Sequence, residues 1–330
     1  MEIGNWKNAD ATAGHYLALR KLGLEVNVAE LDTFGFTVVS PEQAATKELA
    51  GDLLARLKAL SAERNKGVEP DFETGSTHSD FGGPGGQPLF YLMAEGREFE
   101  AALMNPVVQE FARYLLGDAL ILSSASATLK GPGKLPFFIH SDQPIHPIPH
   151  ALVCNVTYLL SDYSRENGAL CFVPGSHRAM RQPLPAENFG FGGLDPRAAM
   201  EEGALGDLDR VEITQAPGIV PVEAPAGSLV IWHGNTWHGA FPRSAPGLRV
   251  NLVLFFCVPA LRPQEAYREY IPDEVLARND ERFKALMGRD VHFGWTSEGP
   301  DRRPGAAFER YRRRAQAETL CADRSAPDLS

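Results

Sequence analysis

Between residues 119 and 258 the chain falls into short runs of β-branched, aromatic and aliphatic residues, each closed by turn residues. They are "ALILSSASATLK", "FFIHS", "ALVCNVTYLLS", "ALCFVPG", "GSLVIWHG", "WHGAFP" and "RVNLVLFFCV". Runs of this length and composition read as strands. So many at close spacing specify a sandwich or barrel, not a parallel α/β sheet. Asn167-Gly168 joins the third and fourth runs and is the strongest short hairpin signal, so these two strands are expected to pair.

The flanks differ. Leu49, Leu53, Leu54, Leu57 and Leu60 in "TKELAGDLLARLKALSAERN" recur at three- and four-residue steps, an amphipathic helix. "FGFTVVS" before it is a short strand, and "PVVQEFARYLLGD" is a second helix ending near Gly117. Between the helices, "GVEPDFETGSTHSDFGGPGGQPLF" reads as one long loop. Segment 181–222, rich in Gly, Pro and Ala, reads as a surface excursion, and residues 259–330 as helical or irregular. The 330 residues are expected to form a single domain: a β core at about 119–258, a helical part at 1–118 and the C-terminal part at 259–330. Loop 68–88 and segment 181–222 are candidate lids.

With 42 acidic against 32 basic side chains the chain carries a formal charge of -10, which repels nucleic acid. The cluster Arg310, Arg312, Arg313 and Arg314 reads as a solvated helix end. No basic stretch followed by an apolar one opens the sequence, so no secretory signal is expected. The longest apolar run, "VNLVLFFCVPAL", is well short of the ~20 residues that span a bilayer. Cys154, Cys171, Cys257 and Cys321 form no CxxC pair and are expected to be free thiols in a cytoplasmic protein. The expected partner is a small molecule, not nucleic acid or membrane.

The tripeptide His-Ser-Asp occurs twice, at His78–Asp80 and at His140–Asp142. A histidine and a carboxylate two residues apart can hold one metal ion. The first copy lies among glycines, where geometry is loose. The second follows the strand-like "FFI", and residues i and i+2 of a strand point to one face. His140 and Asp142 are therefore the favoured pair. His146, His150, His177, His233 and His238 are candidates for a third ligand. Arg249 opens a strongly apolar strand, and a buried arginine must be paired or bind an anion. A small dicarboxylate suits its forked guanidinium.

The ordered set His140-x-Asp142, Asn167-Gly168, Pro174-Gly175-Ser176-His177, His238-Gly239 and, eleven residues after His238, Arg249 resembles the phytanoyl-CoA dioxygenase family. The likeness runs over roughly residues 30–258. It implies a mainly β fold with flanking helices, built on a double-stranded β-helix (a jelly-roll, cupin-like core). It implies Fe(II), 2-oxoglutarate as co-substrate and O2. His140, Asp142 and His238 would be the metal ligands, and Arg249 would hold the remote carboxylate of 2-oxoglutarate. His238 has the family's spacing to Arg249, which leaves His233 structural. Ala240 stands where relatives often carry a hydroxyl that helps hold the co-substrate. The implied reaction is hydroxylation of a small hydrophobic molecule through a ferryl-oxo oxidant, with succinate and CO2 as co-products. Desaturation, epoxidation, ring formation and demethylation are alternatives within that chemistry, and a cupin-like isomerase, hydrolase or non-catalytic barrel is the alternative outside it. Asp142 argues against halogenation, since halogenating relatives lack this carboxylate.

Strand alternation adds further candidates. Ser124, Ser126, Thr128 and Lys130 share one face of their strand, and Asn155 and Thr157 share one face of theirs. Ser126, Thr128, Asn155 and Thr157 are expected to line the co-substrate pocket, and Asn251 to point with Arg249. His146 and His150 are expected at its mouth. Phe72, Phe81, Phe90 and Tyr91 suggest an apolar or ring-bearing substrate.

Overall fold

In a computed structural model, residues 11–76, 86–133, 135–191, 213–289, 295–296 and 299–300 are described. The chain divides into two compact units, Met1–Glu265 and Ala266–Ser330.

The first unit begins with helices α1 (Ala11–Lys21) and α2 (Glu25–Phe34), then strand β1 (Phe36–Val39), α3 (Pro41–Ala44) and α4 (Lys47–Arg64). Strand β2 (Gln87–Leu89) leads to α5 (Arg97–Leu103) and α6 (Pro106–Leu116). The periodic leucines behave as expected: Leu53, Leu57 and Leu60 are buried, while Leu49 and Leu54 are half-buried at the edge of the stripe. α6 starts on an Asn-Pro pair, with Asn105 Oδ1 accepting from Val107 N at 2.9 Å and Pro106 in the first turn, where its missing N–H costs nothing.

The expected strands all form: β3 (Ile121–Lys130), β4 (Phe137–His140), β5 (Val153–Leu159), β6 (Leu170–Phe172), β10 (Leu229–His233), β11 (His238–Ala240) and β12 (Arg249–Cys257). One sheet has the order β1-β10-β5-β12-β3-β2 and a smaller one β4-β11-β6-β9, where β9 is Val220–Pro221. All their pairings are antiparallel. The two sheets face each other across a cluster that includes Leu159 and Trp232 from the large sheet and Phe172 from the small one, the arrangement of a double-stranded β-helix. The helices cover the other face of the large sheet, where Tyr158 Oη donates to Ala102 O at 2.8 Å.

Three expectations are corrected. β5 and β6 do not form a hairpin. Both edges of β5 are taken by β10 and β12, and β6 pairs with β11 and β9 in the other sheet. Asn167-Gly168 lies in a tight turn in which Gly168 N bonds Arg165 O, with Gly168 at φ 70, and the chain passes there from one sheet to the other. The loop after α4 ends in a strand, because β2 pairs with β3. Pro88 is tolerated there since β2 is an edge strand. Segment 181–222 is not purely irregular: β7 (Phe189–Phe191) pairs with β8 (Ile213–Gln215), and β9 joins the small sheet. Much of the two candidate lids, with Phe81, Cys321 and the Arg310 cluster, lies outside the described residues. Cys154, Cys171 and Cys257 are free and buried. No helix among the described residues is long and apolar enough to cross a membrane.

The second unit contributes three short helices, α7 (Tyr267–Tyr270), α8 (Asp273–Ala277) and α9 (Glu281–Leu286), and the strand pair β13 (Trp295–Thr296) and β14 (Gly299–Pro300). Asp280 caps α9, accepting from Phe283 N at 2.9 Å.

Candidate metal centre

β4 and β11 run antiparallel with His140 directly opposite His238. Cross-strand partners point to the same face, so the two imidazoles meet, with ring centroids 4.3 Å apart. Asp142 follows two residues past His140, beyond the end of the strand. Its Oδ1 lies 3.4 Å from His140 Nε2, and its Oδ2 lies 3.3 Å from His238 Nε2. One donor atom from each of the three falls within 4.8 Å of the others, and among the described residues this is the one such cluster of three or more. His78 and Asp80 lie outside the described residues.

Backbone carbonyls orient both rings. His140 Nδ1 meets Phe138 O at 3.1 Å, and His238 Nδ1 meets Thr236 O at 3.0 Å. A carbonyl only accepts, so each Nδ1 must carry the proton and each Nε2 offers a lone pair to the centre. Such outer contacts set the tautomer and basicity of metal-binding histidines. Asp142 is braced the same way: Oδ2 accepts from Asn155 Nδ2 at 2.7 Å and from Trp232 Nε1 at 3.2 Å.

The electrostatics separate the three groups, with Asp142 and His238 shifted toward the forms that bind a cation and His140 shifted the other way by Asp142. Burial opposes the charge on Asp142, but His238 and His140 beside it hold the carboxyl down at about 2. Burial depresses His238 to about 4. For His140, burial acts against protonation, yet the hydrogen bond and charge of Asp142 leave it raised. An ionised carboxylate next to a neutral buried imidazole is the state a divalent cation needs.

The pocket wall follows from register. Arg249 pairs with Lys130, Asn251 with Thr128 and Val253 with Ser126. Val253 also pairs with Thr157, Phe255 with Asn155, and Trp232 with Asn155. With period-two alternation, Arg249, Asn251, Ser126, Thr128, Asn155, Thr157 and Trp232 all share one face. Asn155 and Trp232 reach Asp142 from it, so this face fronts the centre. Thr157 Oγ1 and Arg249 Nε are buried there with no hydrogen-bond partner among the described residues. Arg249 Nη1 donates to Gly168 O, which gives the Asn-Gly turn a place in the site.

One site residue, Trp232, was not legible in the sequence, and the Pro-Gly-Ser-His stretch was legible only as part of the family likeness. Trp232 touches Asp142 across 90 positions. Ser176, in the Pro-Gly-Ser-His stretch, accepts from Trp237 N at 2.8 Å through Oγ and so steadies the residue before His238. Gly175 N bonds Phe34 O at 2.8 Å, docking that stretch on the turn after α2. Gly35 in this turn has φ 85, and a Cβ there would fall 2.5 Å from Thr236 Oγ1 and 2.6 Å from His177 Nδ1, so no larger residue fits. His233 accepts from Asn235 N at 3.0 Å, a role within its own turn. The rings packed on the centre are Trp232 and Phe172 against His238 and Phe137 and Phe138 against His140. Of the aromatics expected from the first loop, Phe72 instead lies under Lys58 Nζ, and Phe90 and Tyr91 are exposed.

Comparison with known proteins agrees with this geometry. The family model for phytanoyl-CoA dioxygenase (PhyH) matches residues 31–250. Dioxygenase af480 of Aspergillus fumigatus is 28% identical over 221 residues, which cover 66% of this chain and 62% of that protein. Ectoine dioxygenase of Bordetella bronchiseptica is 27% identical over 201 residues, covering 56% of this chain and 62% of that one. The chain thus spans 62% of the length of each of these relatives. HygX from Streptomyces hygroscopicus, solved with nickel and 2-oxoglutarate bound, shares the fold with TM-score 0.52 at 17% identity, over 72% of this chain and 88% of that one. The stretch matched by the family model contains all three residues of the centre together with Arg249, and on that match the chain belongs to the phytanoyl-CoA dioxygenase family.

Proposed function

We propose that the chain is an Fe(II)- and 2-oxoglutarate-dependent oxygenase that hydroxylates a small hydrophobic molecule. The observation that carries this reading is the convergence of His140, Asp142 and His238 within 4.8 Å, on the side of the large sheet that bears Arg249. Two imidazoles and one carboxylate form the ligand set of non-haem Fe(II) oxygenases and leave open coordination positions. The donor set fits iron. The unpartnered Arg249 Nε and Thr157 Oγ1 fit a co-substrate with a remote carboxylate.

Iron bound there would supply activation of O2, with 2-oxoglutarate as the electron source that leaves as succinate and CO2. The protein's own groups do the rest. His140 and His238 present Nε2, and Asp142 contributes the negative charge that offsets the cation. Asn155 and Trp232 hold Asp142 at one angle. Arg249 offers a forked pair of N–H donors to a carboxylate, a contact worth about 1.5–3 kcal/mol. Ser126, Thr128 and Thr157 place hydroxyls along the same face. Phe137, 42% exposed and edge-on to His140 at 5.2 Å, gives an apolar surface on which a hydrophobic substrate can lie beside the centre.

The test is anaerobic addition of Fe(II) and 2-oxoglutarate. A visible absorption band requiring both is expected in the wild type, absent in Asp142→Ala and intact in Asp80→Ala. The reading fails if the wild type shows no band, or if Asp80→Ala alone abolishes it. Arg249→Ala is expected to lose succinate formation. Undiminished succinate formation in Arg249→Ala would remove Arg249 from the co-substrate site, whereas absence of succinate in the wild type would favour an isomerase or hydrolase on the same barrel.

A further inference from the structure

The strand that carries His140 is held by its sheet on one side only. β4 is four residues long and forms an edge of the small sheet. Its ladder with β11 sets His140 opposite His238 and Phe137 opposite Ala240, with a shift in register between the two pairs. On an edge strand, alternate residues turn N–H and C=O away from the neighbouring strand. Here those residues are Ile139 and Ser141, on either side of His140, and two side-chain amides take them up. Asn188 Oδ1 accepts from Ile139 N and Asn188 Nδ2 donates to Ile139 O, both at 2.8 Å. Gln182 Oε1 accepts from Ser141 N at 2.9 Å, and Gln182 Nε2 donates to Ser141 O at 2.8 Å. A primary amide carries an acceptor beside a donor, so each side chain copies the pair of groups that a further strand would present. One short segment supplies both. Arg181 and Glu187 close it with two contacts, at 2.7 and 2.8 Å, and Leu184 N donates to Glu187 Oε2 at 2.8 Å. The same segment reaches the other ligand strand. Arg181 O accepts from Trp237 Nε1 at 2.7 Å, and Trp237 precedes His238.

We propose that Gln182 and Asn188 are positioning residues of the metal centre: they bracket the outer edge of β4 and fix where His140 and Asp142 stand relative to His238. This rests on the metal centre of the oxygenase reading above and concerns how that centre is held. Gln182 is exposed and Asn188 half-buried, so the core does not dictate either place. Water could satisfy the same backbone groups, but a solvated edge is free to shift. What the amides add is position. Gln182 has the larger part, because Ser141 is the chain neighbour of both His140 and Asp142. Asn188 acts on His140 from its other side. Brackets at two successive outward positions, about 7 Å apart, also oppose a slip of β4 by one residue, which would turn His140 away from the centre. Through Arg181 O the segment is tied to Trp237 as well, so one closed loop spans the strands of both imidazoles.

The experiment is Co(II) binding to the full chain, with affinity read by chelator competition and coordination geometry by the visible absorption of the bound ion. Gln182→Met keeps the length of the side chain and removes both of its hydrogen-bonding groups. It is expected to weaken Co(II) binding by about ten- to a hundredfold and to change the spectrum, with Asn188→Leu nearer tenfold. In the metal-free chain, hydrogen exchange is expected to quicken at the Ser141 amide in Gln182→Met and at the Ile139 amide in Asn188→Leu. Asn105→Ala, which removes a helix cap away from the centre, is the control for lost stability, and is expected to lower the melting temperature with affinity and spectrum unchanged. Gln182→Asn, a methylene shorter, serves the same comparison if Gln182→Met fails to fold. If exchange quickens while Co(II) affinity and spectrum stay as in the wild type, water holds the edge well enough and the proposal falls, with the metal centre left standing. If the variants change affinity no more than Asn105→Ala does, their role is stability alone and the proposal falls likewise. If the wild type binds no Co(II), the metal-centre reading fails and takes the proposal with it.

Discussion

Asp142 gains its orientation from two donors that lie far away in sequence. The Asn155 amide reaches it at 2.7 Å and the Trp232 indole at 3.2 Å. Outer-shell donors of this kind are worth about 10–100-fold in metal affinity. Trp232→Phe keeps the ring against His238 and removes only the N–H. It is therefore expected to weaken Ni(II) binding about tenfold in a chelator competition, with little change in melting temperature. Unchanged affinity would mean that Asn155 suffices alone. His140, Asp142 and His238, singled out in the sequence as candidate ligands, converge in the structure. The two-residue spacing marked His140 and Asp142 as a pair, although Asp142 lies past the end of β4, and the family likeness selected His238 by its spacing to Arg249. Trp232 was not legible, because its partner is set by how two sheets face each other and no local pattern records that.

At the scale of elements, helix α6 shows how a short signal becomes a stable piece. Asn105 accepts from Val107 N at 2.9 Å and donates to Ala44 O at 3.0 Å, so it caps its helix and ties it to α3. Asn105→Ala loses both. A cost of about 1–2 kcal/mol is expected, read as a fall of about 2–8 °C in melting temperature. A fall below one degree would show that water replaces both contacts. Strand positions were readable because hydrophobic periodicity is a local property. Pairing was not. Asn167-Gly168 encodes a tight turn and makes one, yet a turn signal does not say which edge is free, and β5 had none left. β2 escaped notice for a related reason: Pro88 masks the pattern in a strand of three residues, and only its neighbour β3 identifies it.

For the whole molecule, buried histidines couple folding to pH. Burial, with His177 nearby, depresses His233 to about 4, against ~6.5 in an unfolded chain. Between these values the unfolded chain takes up a proton that the folded protein refuses. Stability is therefore complete above about pH 6.5 and declines as pH falls toward 4, by up to about 3 kcal/mol from this residue. Urea denaturation of the metal-free chain across that window is expected to show the loss, with a shallower slope in His233→Gln. A flat profile in the wild type would overturn the assignment. The fold class as a whole was legible from the spacing of short strands and the helices before them, and the division at Glu265 and Ala266 falls close to residue 259, where the strand-like runs end.

One consequence follows from how the centre is divided between ladder and loop. His140 and His238 are rungs of a hydrogen-bonded ladder, so their bite is dictated by interstrand spacing whatever ion arrives. A one-residue slip would turn a ring to the opposite side of the sheet and abolish the pincer outright. Asp142 stands past the last rung and is steered by side chains alone. The imidazole half of the centre is thus as rigid as the sheet, and adjustment to a cation's radius falls to the carboxylate arm.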